Sequence, residues 1–155
     1  VACIRVSIGQ HSAPRLKSLM EDSLIEKVFH YARFDVAALK SGLDIVVNPI
    51  FCTKIASKIA RTYTPRHGLK DLIMEMVGVE LDKKSQSSDW GRLDEFSKDQ
   101  IMYAANDVRY LIQAKIKLEQ MLEREGRLSL AKRCFSCVSV LADLDRKQFH
   151  QIFEH

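Results

Sequence analysis

Tyr103 and Asp107 stand four residues apart in the stretch QIMYAANDVRYL (100–111). On an α-helix that spacing stacks two side chains on the same side. A carboxylate takes up protons or holds a hard cation through its oxygens, and a phenol offers a hydrogen bond. Turning the helix by about 100° per residue places both groups on one flank of an apolar stripe. The stripe is formed by Ile101, Ala104, Ala105, Val108, Leu111, Ile112, Leu118 and Leu122. A flank borders either a cleft or plain solvent, and surface helices commonly carry such pairs. A second carboxylate, Asp35 in KVFHYARFDVAAL (27–39), falls in the first turns of a helix that leaves a strand. Ligands gather at the carboxyl ends of strands in α/β sheets, so Asp35 lies near an edge where sites form. An acidic residue there also simply complements the helix dipole.

The elements that must position these residues follow from periodicity. ACIRVSIG alternates apolar and other side chains, which predicts a half-buried strand over 2–8. HSAPRLKSLMED predicts a short helix capped by Ser12, with Pro14 in its first turn. KVFH (27–30) reads as a short strand, ARFDVAALKSG as a helix ending at Gly42, and DIVV (44–47) as a further strand. Asn48 and Pro49 are expected to open a helix over IFCTKIASKIARTY, with Phe51, Ile55 and Ile59 on one stripe. Another helix is expected to restart at Thr64 and Pro65 and to stop at Gly78. Residues 80–96 are polar, hold the single tryptophan, Trp90, and predict a long loop. Ser97 and Gln100 form a capping-box pattern at the head of a helix over 97–125, with Gly126 as its stop. A helix over about 127–137 and an amphipathic tail follow. The order is that of an α/β domain with a helical C-terminal half.

A chain of 155 residues is one domain's worth, so residues 1–155 are taken as one domain. With 46% hydrophobic and 28% charged residues it has an ordinary globular composition. No apolar run approaches the roughly 20 residues that cross a bilayer, and no signal segment opens the chain. The expectation is a cytoplasmic protein without a membrane partner. The net charge of +4 is compatible with a polyanionic partner but is not specific to one. Cys134 and Cys137, in CFSC, have no second ligand pair to complete a zinc site. They are expected to be reduced core residues, since free cysteines are commonly buried.

KVFHYARFDVAAL together with SSDWGRL and MYAANDVRYL resembles the ribonuclease D family of 3′–5′ exonucleases, which use an Asp-Glu-Asp-Asp set plus a tyrosine. FCTKIASKIARTYTPRHGLKDL and LDKKSQSSDW resemble its compact bacterial members. The resemblance implies a ribonuclease H-like exonuclease fold, a mixed sheet flanked by helices. It assigns Asp35 to the second exonuclease motif and Tyr103 and Asp107 to the third. It further implies two Mg²⁺ or Mn²⁺ ions roughly 4 Å apart, one bound by Asp107 to activate water and one supported by Asp35, with Tyr103 orienting the water or the scissile phosphate. Arg33, Arg66, His67 and Lys70 are candidates for phosphate contacts. Trp90 either stacks on a base or pins its loop. The implied activity is release of nucleoside monophosphates from single-stranded RNA 3′ ends, such as tRNA precursors, with DNA as a possible substrate.

The first motif of that family, Asp-x-Glu on the first strand, does not occur among residues 1–34. The chain is therefore expected to be incomplete relative to the family at its N-terminal side, lacking its first strands in a segment of roughly 50 residues. The alternative is a catalytically inactive module that binds nucleic acid or protein.

Overall fold

The computed structural model describes residues 1–7, 9–81, 97–149 and 152. Two short parallel strands, β1 (Lys27–Phe29) and β2 (Ile50–Cys52), pair in the register Lys27↔Ile50, Val28↔Phe51 and Phe29↔Cys52. The described helices are α1 (Pro14–Glu21), α2 (Ala32–Leu43), α3 (Thr53–Ala60), α4 (Leu69–Val77), α5 (Lys98–Arg109), α6 (Leu111–Arg124), α7 (Leu128–Ser136) and α8 (Val138–Arg146). The α/β class with a helical C-terminal half is as the sequence implies.

β2 lies at the centre of the core. Ile50, Phe51 and Cys52 are all buried, so the strand shows no alternation. Phe51 meets Phe135 of α7 with ring centroids 4.6 Å apart. α3 and α4 pack on α6, and α2 packs on α8. Leu72, Ile73, Leu118, Leu122 and Val138 fill the space between them. No helix among the described residues is long and apolar enough to cross a membrane.

Several sequence expectations are corrected. Residues 1–7 have no regular structure and are exposed, and Ile8 lies outside the described residues. Alternation makes a strand only where a neighbour takes its backbone bonds, and no described segment does so here. Residues 44–47 are not a strand either, because two of their amides are taken by groups outside any strand. Ile45 N–H donates to the Leu39 carbonyl at 3.3 Å, and Val46 N–H donates to Glu21 Oε1 at 2.9 Å. The strand is instead the Ile-Phe-Cys run that was expected to begin a helix. α2 runs one residue past Gly42, and Asp44 takes the left-handed cap position. α1 is capped without a side-chain hydrogen bond, its N-cap being Ala13. α4 begins after Gly68 rather than at Thr64, because residues 61–68 form a turn held by Arg61.

The expected 97–125 helix is two helices that meet at Tyr110, whose φ is −105° and ψ 0°. The break restarts the helical phase. Ala105, Leu111, Ala114, Leu118 and Leu122 are buried, while Ile101, Val108 and Ile112 are exposed. Cys134 is half-buried and Cys137 exposed. Cys137 sits at the α7–α8 junction, off the face that buries Ala131, Phe135 and Val138. The capping box of α5 is present, with Ser97 Oγ accepting from Gln100 N–H at 3.1 Å and Gln100 Oε1 accepting from Ser97 N–H at 2.9 Å.

Candidate active site

β1 delivers the chain to the site edge and α2 carries it away. Residues 30 and 31 make the turn between them, and Tyr31 adopts a left-handed backbone with φ 69° and ψ 44°. That conformation costs a residue with a β-carbon about 1–2 kcal/mol. It lets α2 start at Ala32 and sets Asp35 in its first turn. α5, started by its capping box, brings Asp107 from the other side. A cleft of about 510 Å³ opens between them, lined among others by Val28, Phe29, His30, Asp35, Asp107 and Leu111.

The electrostatics follow from apolar walls and two like charges. Burial raises the Asp35 carboxyl to about 6, a backbone hydrogen bond opposes the rise, and the Asp107 charge adds to it. Burial also pushes Asp107 above the usual carboxylate range. Tyr103 is raised by burial and then by Asp107, which places its phenol in that carboxylate's field. The structure thus brings Asp35 and Asp107 together in one cleft; Tyr103 is coupled to Asp107 and is not among the residues that line the cleft.

Two desolvated carboxylates that line one cleft and repel each other are short of positive charge. Their oxygens suit a hard divalent ion. They supply only part of a coordination shell, because no group of three or more His, Cys, Asp or Glu side chains among the described residues could hold a metal ion. In donor type and charge the pair fits a divalent ion; in donor number it is half a site.

The remaining candidates are placed differently. Arg33 is not turned to the cleft chemistry, since its guanidinium forms a two-pronged pair with Asp145 of α8. Lys70 pairs with Glu80 at 3.2 Å. His67 Nδ1 lies 2.9 Å from Ser57 Oγ, and burial, Arg61, Lys58 and Lys54 in that order lower its pKa. Arg66 is exposed, and its carbonyl accepts from Arg61 at 2.8 Å. Trp90 lies outside the described residues.

Two features escaped the sequence reading. His30, directly after β1, lines the cleft. Its Nδ1 is 2.9 Å from Thr53 Oγ1, and that hydroxyl donates to the Phe29 carbonyl at 3.0 Å. Burial and then Lys54 lower its pKa to about 4, against a hydrogen bond to the His67 backbone. Its place at the end of a strand was the available signal. The other feature is Arg61, 1% exposed. It donates to Glu75 Oε1 at 3.1 Å, to Ser57 Oγ at 2.9 Å and to the Arg66 carbonyl. It fixes the turn that carries His67, and nothing in its spacing announced this.

A family model described as 3′–5′ exonuclease matches residues 1–123. Ribonuclease D of Granulibacter bethesdensis is 34% identical over 111 residues, which cover 72% of this chain and 28% of that protein. The chain spans less than a third of the length of such curated relatives. The structure of Brucella melitensis NrnC bound to pGG is 45% identical with a TM-score of 0.90, covering 96% of this chain and 72% of that one. The structure of the same protein with bound Mg²⁺ is 43% identical with a TM-score of 0.91, covering 97% and 74%. The chain belongs to the 3′–5′ exonuclease family, as a relative of the ribonuclease D proteins.

Proposed function

We propose that the protein is a divalent-metal-dependent 3′–5′ exoribonuclease that hydrolyses phosphodiesters at the 3′ ends of single-stranded RNA. The observation that carries this proposal is the meeting of Asp35 and Asp107 in one desolvated cleft. Tyr103 is coupled to Asp107. The relatives support it: ribonuclease D proteins by name, and NrnC with Mg²⁺ and with pGG.

Asp35 and Asp107 would hold Mg²⁺ or Mn²⁺, as two members of the Asp-Glu-Asp-Asp set. Such ions, when bound, supply a deprotonated water and stabilise the leaving oxygen. The protein's own residues prepare for this. Burial raises the cost of each bare aspartate charge, which a bound cation would offset. Tyr103 offers its hydroxyl as a hydrogen-bond donor that orients the attacking water or the phosphate. His67 and Arg66, on the turn beside α3, are the proposed phosphate contacts. The four cysteines are free, which suits a reducing compartment such as the cytoplasm.

The test is shortening of a 3′-accessible RNA by the full-length protein with and without Mg²⁺. Shortening should require the ion and vanish in Asp107→Ala. Digestion that survives chelation or that substitution would overturn the proposal.

A further inference from the structure

The turn between β1 and α2 shows a second feature that the hydrolytic site does not use. Tyr31 holds a left-handed backbone there, a conformation that glycine or asparagine adopts with less strain. A large aromatic residue kept at such a position points to a use for its side chain. The turn leaves Tyr31 51% exposed. Lys54, the second residue of α3, places its Nζ 4.1 Å from the ring centroid. One face of the ring is thus capped by a cation, while about half of the residue's surface stays open to solvent.

The pair is also located beside the cleft. Tyr31 follows His30, which lines the cleft, and precedes Asp35 by four residues. The Lys54 charge reaches both His30 and His67. The turn that follows the cleft residue His30 is therefore aromatic and backed by a cation, while the cleft itself holds the two aspartates. An ammonium behind an aromatic ring draws on its negative face. The free face then stacks favourably on an electron-rich, extended π-system. Bases stacked on aromatic side chains are a common mode of single-strand binding.

We infer that Tyr31, backed by Lys54, is a base-stacking subsite that takes a purine of the bound strand beside the Asp35–Asp107 cleft. The subsite rests on the exoribonuclease proposal for its ligand, but its test does not need turnover. Purines offer the larger stacked area, so the subsite gives the protein a purine preference at one position of the strand.

The experiment uses five-nucleotide RNAs carrying one abasic position at a time, bound to full-length Asp107→Asn protein and read by fluorescence anisotropy. One abasic position should weaken binding about tenfold, in line with the loss of one stacked base. Adding Tyr31→Leu should abolish that penalty, because the partner ring is gone. Tyr31→Phe, which keeps the ring, should retain it. Lys54→Gln should shrink the difference between purine and pyrimidine at the same position. Each comparison is made within one variant, so partial misfolding does not imitate it. If Tyr31→Leu leaves every abasic penalty in place, or if no position shows a penalty, the subsite does not exist. A protein that shows the coupling yet never shortens RNA would instead overturn the exoribonuclease proposal alone.

Discussion

Arg33 of α2 and Asp145 of α8 form a two-pronged ion pair, with Nη2 and Oδ1 2.5 Å apart. It ties the first turn of the helix that carries Asp35 to the last turn of α8. A guanidinium engaged in this way has a structural task, and substrate phosphate would have to compete with Asp145 for it. Arg33→Gln should lower stability by about 1 kcal/mol, the scale of a partly exposed pair with good geometry. Asp145→Asn should cost a similar amount, and the double variant little more than either. Chemical denaturation measures this, and KM for RNA should stay unchanged. A large rise in KM would restore Arg33 to the substrate site.

Tyr103→Phe removes one hydroxyl and keeps the ring. If that hydroxyl orients the water or phosphate, kcat should fall roughly 10²-fold, as for loss of one aimed hydrogen bond. KM should move little. Steady-state kinetics separate the two, and an unchanged kcat would leave Tyr103 as mere packing.

Asp35 gives a pH dependence of stability in the metal-free protein. Its folded value is about 6, because burial, opposed by a backbone hydrogen bond and helped by Asp107, raises it from 3.8. Between those values the folded state keeps a proton that the unfolded chain has lost, so this group's contribution weakens stability as pH rises from about 4 to about 6. His30 acts in the opposite sense. Its folded value is about 4 against 6.5, lowered by burial and then Lys54, so its contribution strengthens stability as pH rises through that window. Asp35→Asn removes the first effect and keeps the second. Its gain in melting temperature over the native protein, in chelator, should therefore be larger at about pH 7 than at about pH 4. An equal gain at both would show that the carboxyl is not protonated in the fold.

Arg61 is buried while Glu75, its partner, is 38% exposed in its side chain. Glu75→Gln leaves a guanidinium in the interior without its counter-charge. With Glu75 partly solvated, stability should drop by about 1.5 kcal/mol, between the exposed-pair and buried-pair scales, measured by urea unfolding. A loss under about 0.5 kcal/mol would mean that Ser57 and the Arg66 carbonyl suffice to hold the charge.

The sequence made some of this legible and hid the rest for identifiable reasons. Ser97 with Gln100, and the glycines at 78 and 126, mark helix ends through local hydrogen bonding and positive φ. Such signals survive without tertiary context. Asp35, Tyr103 and Asp107 were singled out because a family pattern joined residues that local spacing left ambiguous. β2 was missed because three consecutively buried residues carry no period. Its pairing with β1 depends on residues more than twenty positions away. Pro49 reinforced the error, since its fixed φ suits an extended chain as well as a helix start. The break at Tyr110 has no glycine or proline to announce it. The Arg33–Asp145 and Arg61–Glu75 pairs are contacts between different elements, which charge patterns along one helix do not reveal.

The joint at Tyr110 has a consequence for how the protein opens. α6 is anchored by Leu111, Ala114, Leu118 and Leu122, whereas Ala105 is the one residue of α5 described as buried. Local unfolding free energy follows buried apolar contact, so α5 should open in small, separate excursions while α6 opens only with the whole domain. Amide hydrogens from Ile101 to Val108 should therefore exchange orders of magnitude faster than those from Ala114 to Leu122. Asp107 then belongs to a segment whose own conformational equilibrium, and not the rigidity of the core, sets how often the two aspartates face each other.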